Sequence, residues 1–288
     1  MSVLSWLGDR ATDRDLVEHT GESGDARQST CPALHEPWKM TQMSEAFAKL
    51  VETVEHDDRF VGLLLGGSRG KGLGTERSDY DVYVVVAEDV DPQAIQFDVD
   101  YRDGIDLVGV WPVSAFATYA VGDGNDWNRY NFAHLQPTVD KLGTLQAVSD
   151  AKEWLDPQGA HASATLMLDG YLNYRFRAAK NRVDGNLDAV ALDVVESVLF
   201  MLDFVFTSER RVRPYSKFLA WEIRAHPLEL DWGIITQPST LTQMVRTADS
   251  LLQAACFKAV ETGARQMGFD SVLDAWRPSE LALMRTEI

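Results

Sequence analysis

Apolar positions first recur with a helical period near Thr41, where Met43, Phe47, Leu50, Val51 and Val54 follow Thr41 or Ser44 as candidate N-caps. The folded unit is predicted to start there. Residues 1–38 show neither a strand nor a helix period and carry Gly21, Gly24 and Pro32. They read as a flexible arm in which Trp6, Leu7, Leu16 and Val17 offer at most a short docked helix. Met40 and Met43 keep a later translation start open. Three apolar runs of buried-strand length follow, at residues 61–65, 80–87 and 105–111. Residues 97–102 read as a further strand that turns at Asp103-Gly104 and returns through Ile105, since Asp-Gly favours tight hairpins. These elements predict a mixed sheet with at least one flanking helix.

From about Ser163 the strand signals fade and helical spacing dominates. Leu192, Val195, Leu199, Leu202 and Phe206 form one stripe, and Val194, Val198, Met201 and Val205 a second. A helix over 187–207 is thus apolar around most of its circumference and is predicted to be buried on several sides. Further helices are expected over 216–224 and 240–261, the second ending near Gly263. The turn-prone segment around Asp156, Pro157 and Gly159 is the natural join. The expected fold class is α+β, in three parts: the arm over 1–38, an N-terminal mixed β-sheet domain with flanking helices over 39–156, and a C-terminal α-helical bundle domain over 157–288.

Composition narrows the partners. The chain has 288 residues, of which 45% are hydrophobic, enough for one large core or two modest ones. Its two cysteines, Cys31 and Cys256, lie too far apart in sequence to write a disulfide framework or a Cys-based zinc site. A basic start followed by an apolar run is missing, as is any run long enough for a membrane helix, so the chain reads as cytoplasmic, with no membrane partner. The net charge of −17 argues against an extended nucleic-acid surface. Residues 175–217 run against that trend, with eight basic residues to six acidic ones. A basic island in an acidic chain suits a small phosphorylated ligand, although each arginine taken singly is better explained by pairing with a nearby carboxylate.

The chemistry concentrates between the first two predicted strands. Alternate strand residues share a face, so Asp79 and Asp81 point the same way. Two carboxylates there repel one another unless a cation joins them, and Mg²⁺ takes oxygen ligands of this kind together with substrate phosphates. Asp106, at the start of the third strand, offers a third carboxylate, with Asp103 and Asp100 competing for that role. Three such groups can hold two metals. The loop before them contains Gly66, Gly67, Gly70, Gly72 and Gly74, with Ser68 adding a hydroxyl. Glycine lets backbone N–H groups approach an anion closely, so the loop is a phosphate nest by composition. It is not a P-loop, since Lys71 is followed by Gly72.

Gly67-Ser68, Ser78-Asp79-Tyr80-Asp81 and, more loosely, Asp106 resemble the DNA polymerase β-like nucleotidyltransferase superfamily, in particular its small-molecule branch, which includes the aminoglycoside nucleotidyltransferases. The resemblance covers about residues 60–112, and the pairing of a sheet with C-terminal helices looks like the same branch. It implies a cleft between a nucleotidyltransferase domain and a helical substrate-binding domain, with ATP or another nucleoside triphosphate and Mg²⁺ on the sheet and a small-molecule acceptor against the helices. It also implies that Gly67, Ser68 and Ser78 attend the triphosphate, that Asp79 and Asp81 hold metal, and that Asp106 completes the triad or acts as general base. In the helical half, Lys217 is a mobile point charge suited to the leaving pyrophosphate, or else a solvent-exposed lysine at a helix start. Glu196 and Asp193 share a stripe with Asp203 and read either as ligands of a cationic acceptor or as one side of an ion-pair seam with the basic residues of the preceding helix. The expected activity is transfer of AMP from ATP to a hydroxyl of a small polar acceptor, an aminoglycoside-like antibiotic being one such acceptor. The alternatives are a toxin-like enzyme modifying protein or tRNA, and a nucleotide-binding module without turnover.

Overall fold

The structure is a computed structural model that describes residues 44–121 and 129–287. The arm over 1–38, together with Cys31, Met40, Thr41 and Met43, lies outside these residues. Helix α1 (Glu45–His56) begins at Ser44, whose hydroxyl accepts the Phe47 N–H at 3.2 Å. Phe47, Leu50 and Val54 recur at helical spacing and are buried on one face of the sheet. The strands are β1 (Phe60–Leu65), β2 (Tyr80–Val86), β3 (Ile105–Pro112) and β4 (Gln136–Asp140), in the spatial order β3-β2-β1-β4. β1 pairs antiparallel with β2 and β4, while β2 and β3 run parallel, so the sheet is mixed.

Period 2 sorts the sheet into two covered faces. Leu63, Leu65, Tyr80, Val82, Val84 and Val86 meet α1. Leu64, Tyr83 and Val85 meet Phe116, Phe132, Leu135 and Leu145 on the other side. Phe116 belongs to α3 (Val113–Thr118) and Leu145 to α4 (Leu145–Ala151), while α2 (Gly67–Gly70) is the single turn between β1 and β2.

Two expectations for this half are corrected. Residues 97–102 form no strand, and Asp103-Gly104 makes no hairpin. A parallel β3 requires the chain to travel back to the start of β2, and it does so through 3₁₀ turns at Pro92–Ala94 and Tyr101–Asp103, with Phe97 and Val99 covering the α1 face. The apolar alternation there belongs to a covering crossover. Strand β4 was not expected, because it contains Pro137 and buries only Val139, the signature of an edge strand rather than an apolar run.

Helix α5 (Pro157–Val183) starts where the join was expected. The Asp156 carboxylate accepts the N–H groups of Gln158 and Gly159 at 3.1 and 2.7 Å, with Pro157 at the first helical position. It packs along α6 (Leu187–Ser208). Around them lie α7 (Leu219–Ala225), α8 (Pro238–Thr247), α9 (Ser250–Gln266), α10 (Asp270–Asp274) and α11 (Pro278–Arg285), enclosing one large apolar core. The single helix expected over 240–261 is two. Ala248 adopts a left-handed φ of 49° and Asp249 caps α9 through the Leu252 N–H, which breaks the periodic run. Gly263 lies inside α9, where Trp232 leaves no room for a Cβ. The prediction that α6 is buried on several sides holds for its last two turns, where Met201, Leu202, Phe204, Val205 and Phe206 are all buried, and fails for its first half. Val194, Val198, Met201 and Val205 face the core, but Leu192, Val195 and Leu199 are 71%, 41% and 39% exposed. No helix among the described residues is long and apolar enough to cross a membrane.

Candidate active site

The turn after β1 is shaped by contact with Asp81. The Gly66 N–H donates to the Asp81 carbonyl at 2.8 Å, which aligns the strand ends. Gly67 has φ +56°, and a Cβ there would lie 1.6 Å from Asp81 Oδ2. Glycine is therefore demanded twice, by backbone conformation and by the carboxylate pressed against it. Gly70 is held against the Leu65 carbonyl, and its N–H returns to the Gly66 carbonyl at 2.8 Å. The first N–H groups of such a helical turn have no intrahelical partner. Ser68 sits among them, buried, with its hydroxyl making no hydrogen bond among the described residues.

Asp81 and Asp106 are direct partners across the parallel β2–β3 pair. Asp79 precedes Asp81 by two residues on the same face, and ligand oxygens of all three lie within 4.8 Å of one another, each residue half-buried. Burial first, then the charges of Asp79 and Asp106, raise the Asp81 pKa to about 6, with Lys217 acting in the opposite direction. That mutual repulsion in an all-oxygen donor set is what a hard divalent cation relieves, so the residues fit Mg²⁺. Asp100 and Asp103 are committed elsewhere. They form a capping box around the Tyr101–Asp103 turn, and Asp100 also pairs with Arg102.

The remaining predicted residues divide. Ser78 shapes the turn, its hydroxyl accepting the Thr75 N–H at 3.0 Å and its carbonyl accepting Arg69 Nε at 2.9 Å. Lys217 is brought into electrostatic reach of Asp81 from the segment joining α6 to α7. Asp193 is not brought to the carboxylates: it lies in the α5–α6 seam, bonded to Asn181 at 2.8 Å and Arg177 at 3.3 Å. Glu196 is exposed on the outer face of α6. The basic island is largely consumed by structure as well. Arg175 donates to the Met284 carbonyl at 2.6 Å, Arg182 to the Ala248 carbonyl, and Arg213 pairs with Asp203 at 2.6 Å.

Sequence reasoning missed a buried polar network around Glu222. Glu222 on α7 is fully buried and accepts Tyr130 Oη at 2.6 Å and an Arg211 N–H. Arg211 Nε lies 2.5 Å from Glu153, and His134 Nε2 lies 3.3 Å from both Glu153 and Glu222. Burial alone would push Glu222 up, but His134, the Tyr130 hydroxyl and Arg211 bring its pKa down to about 2. His134, Glu153 and His226 place ligand atoms within 4.8 Å, although no histidine has metal-ligand spacing in sequence. The two imidazoles stack at 3.9 Å with an interplanar angle of 20°, so their lone pairs run side by side instead of converging, and Arg211 already pairs with both Glu153 and Glu222. The group is a charge network that joins the two halves. Glu222 shares its short helix with Arg224, so nothing in the local pattern marked it as buried. No family model matches this chain, and no curated protein shows significant similarity to it.

Proposed function

We propose that the chain is a nucleotidyltransferase that moves a nucleoside monophosphate, AMP from ATP in the leading reading, to a hydroxyl of a small polar acceptor. The observation that carries this reading is the convergence of Asp79, Asp81 and Asp106 beside a glycine turn that Asp81 itself shapes. It agrees with the resemblance to the polymerase β-like superfamily and its pairing of a catalytic sheet with a helical wall.

Asp79, Asp81 and Asp106 would hold Mg²⁺, which when bound would supply charge neutralisation and alignment for the triphosphate. The chain's own residues do the rest. The Gly67-Ser68 turn presents N–H groups and a hydroxyl to phosphate oxygens. Asp106 takes the proton of the acceptor hydroxyl as its oxygen bonds to the α-phosphorus, and the bond to pyrophosphate breaks. Lys217, within electrostatic reach of Asp81, offsets charge on the departing pyrophosphate. The helices then serve as the acceptor wall.

Incubation with α-labelled nucleoside triphosphates, Mg²⁺ and an aminoglycoside panel tests the reading. Label is expected on one acceptor, and Asp81→Asn is expected to lower the rate at least about a hundredfold. Transfer to no acceptor, with no triphosphate binding, overturns it, and label on protein or tRNA redirects the acceptor class.

A further inference from the structure

Lys71 ends the glycine turn and carries the feature of this site that its motifs leave unexplained. Residues 72–77 are all exposed, yet Lys71 is only 7% exposed. Its ammonium lies 4.9 Å from the ring centre of Tyr130, 5.3 Å from that of Phe218 and 5.1 Å from that of Trp221. Its one hydrogen bond among the described residues, to the Ala133 carbonyl, is long at 3.5 Å. Tyr130, from the turn before β4, is bonded to Glu222, and Phe218 and Trp221 flank or belong to α7, so the cage straddles the seam between the sheet and the helices, two of its three rings coming from the helical half. Lys71 reaches into it from the sheet.

A methionine would fill such a cage with no desolvation cost, whereas a buried ammonium is expensive unless its charge has a use. The charge is retained: burial lowers the Lys71 pKa to about 8, with Glu222 and Asp81 pulling it back up, so it is protonated at neutral pH. The attraction runs to one carboxylate of the helical half and one of the triad.

We propose that Lys71 is a positioning residue whose ammonium fastens the Gly67–Gly70 turn to the helical half, so that the phosphate-receiving loop keeps its shape only while the two halves are docked. The link to phosphate rests on the nucleotidyltransferase reading. The fastening itself does not.

Two measurements on the full chain separate these parts. Amide hydrogen exchange over residues 66–74 is expected to accelerate about tenfold in Lys71→Met while the rest of the sheet is unchanged, and Lys71→Arg is expected to restore much of the protection, since guanidinium also sits well over aromatic rings. Calorimetric titration with Mg²⁺ and a non-hydrolysable ATP analogue is expected to show the Kd rising about tenfold in Lys71→Met. If that variant does not fold, Trp221→Leu opens the cage from the opposite side and is expected to move both readouts in the same direction. Wild-type exchange rates in the variants overturn the fastening. Faster exchange with an unchanged Kd overturns its role in phosphate binding, and a wild-type chain that binds no triphosphate overturns the parent reading while the exchange result still decides the fastening.

Discussion

Asp81 must be an anion beside two other anions. Its carboxylate presses on Gly67, its strand partner is Asp106, and Asp79 shares its face, so in the metal-free chain its pKa is raised from 3.8 to about 6, by burial first and by its neighbours second. A carboxyl whose folded pKa lies above its unfolded value favours the fold while protonated. That contribution is complete below about pH 3.8 and is lost as the pH rises through about 6. In chelator, the wild-type chain is therefore expected to lose about 1 kcal/mol between pH 4 and 6.5 relative to Asp81→Asn, a figure already discounted for the half-buried position of the group. Thermal midpoints of the two proteins across that range check it, and parallel curves would remove the raised carboxyl. Added Mg²⁺ is expected to raise the wild-type midpoint more at pH 6.5 than at pH 4, because only the ionised triad attracts it.

Elements were legible where one local period decided them. Strands β1, β2 and β3, helix α1 and the start of α5 follow from runs, caps and a proline at the first turn, and the Gly67, Asp79 and Asp81 site followed because its parts lie within fifteen residues of one another. The crossover before β3 was misread because Phe97 and Val99 alternate like a strand while serving as a cover. The first half of α6 was misread because hydrophobicity was taken as burial, whereas Leu202 and Phe206 farther along the same stripe are buried as expected. Leu192 and Val194 lie about 200° apart around the helix, and only the second meets the core. Leu192→Gln is accordingly expected to change stability by no more than about 0.5 kcal/mol, and Val194→Gln to cost about 2–4 kcal/mol through a buried, unsatisfied amide. Urea unfolding of the two variants tests this, and equal losses would mean that the outer stripe is covered.

The whole molecule is joined by contacts between residues far apart in the chain, which is why no local pattern announced them. Tyr130 and Glu222 are 92 residues apart and share a 2.6 Å hydrogen bond, and Glu222 also meets Arg211 and His134 while facing Lys71. One buried carboxylate thus balances the Arg211 guanidinium of the α6–α7 segment and the Lys71 ammonium of the glycine loop, and it also accepts the Tyr130 hydroxyl from the sheet side. Removing it leaves Arg211 with Glu153 alone, Lys71 with the attraction of Asp81 alone and the Tyr130 hydroxyl without its acceptor, and Glu222→Ala is expected to cost about 3 kcal/mol in denaturant unfolding. Glu222→Gln keeps the shape and one acceptor, so it separates charge from packing and is expected to recover less than half of that loss. The pH dependence has the opposite sign to that of Asp81. The Glu222 pKa is depressed from 4.5 to about 2, so its stabilisation is present above about pH 4.5 and is lost as the pH falls through about 2. Acid unfolding of the wild type should therefore include a component that Glu222→Gln lacks. Because Lys71 is held partly by the same carboxylate, Glu222→Gln is also expected to speed exchange over residues 66–74, tying the shape of the glycine turn to the docking of the helices. Unchanged loop exchange in a destabilised Glu222→Gln protein would confine this network to stability.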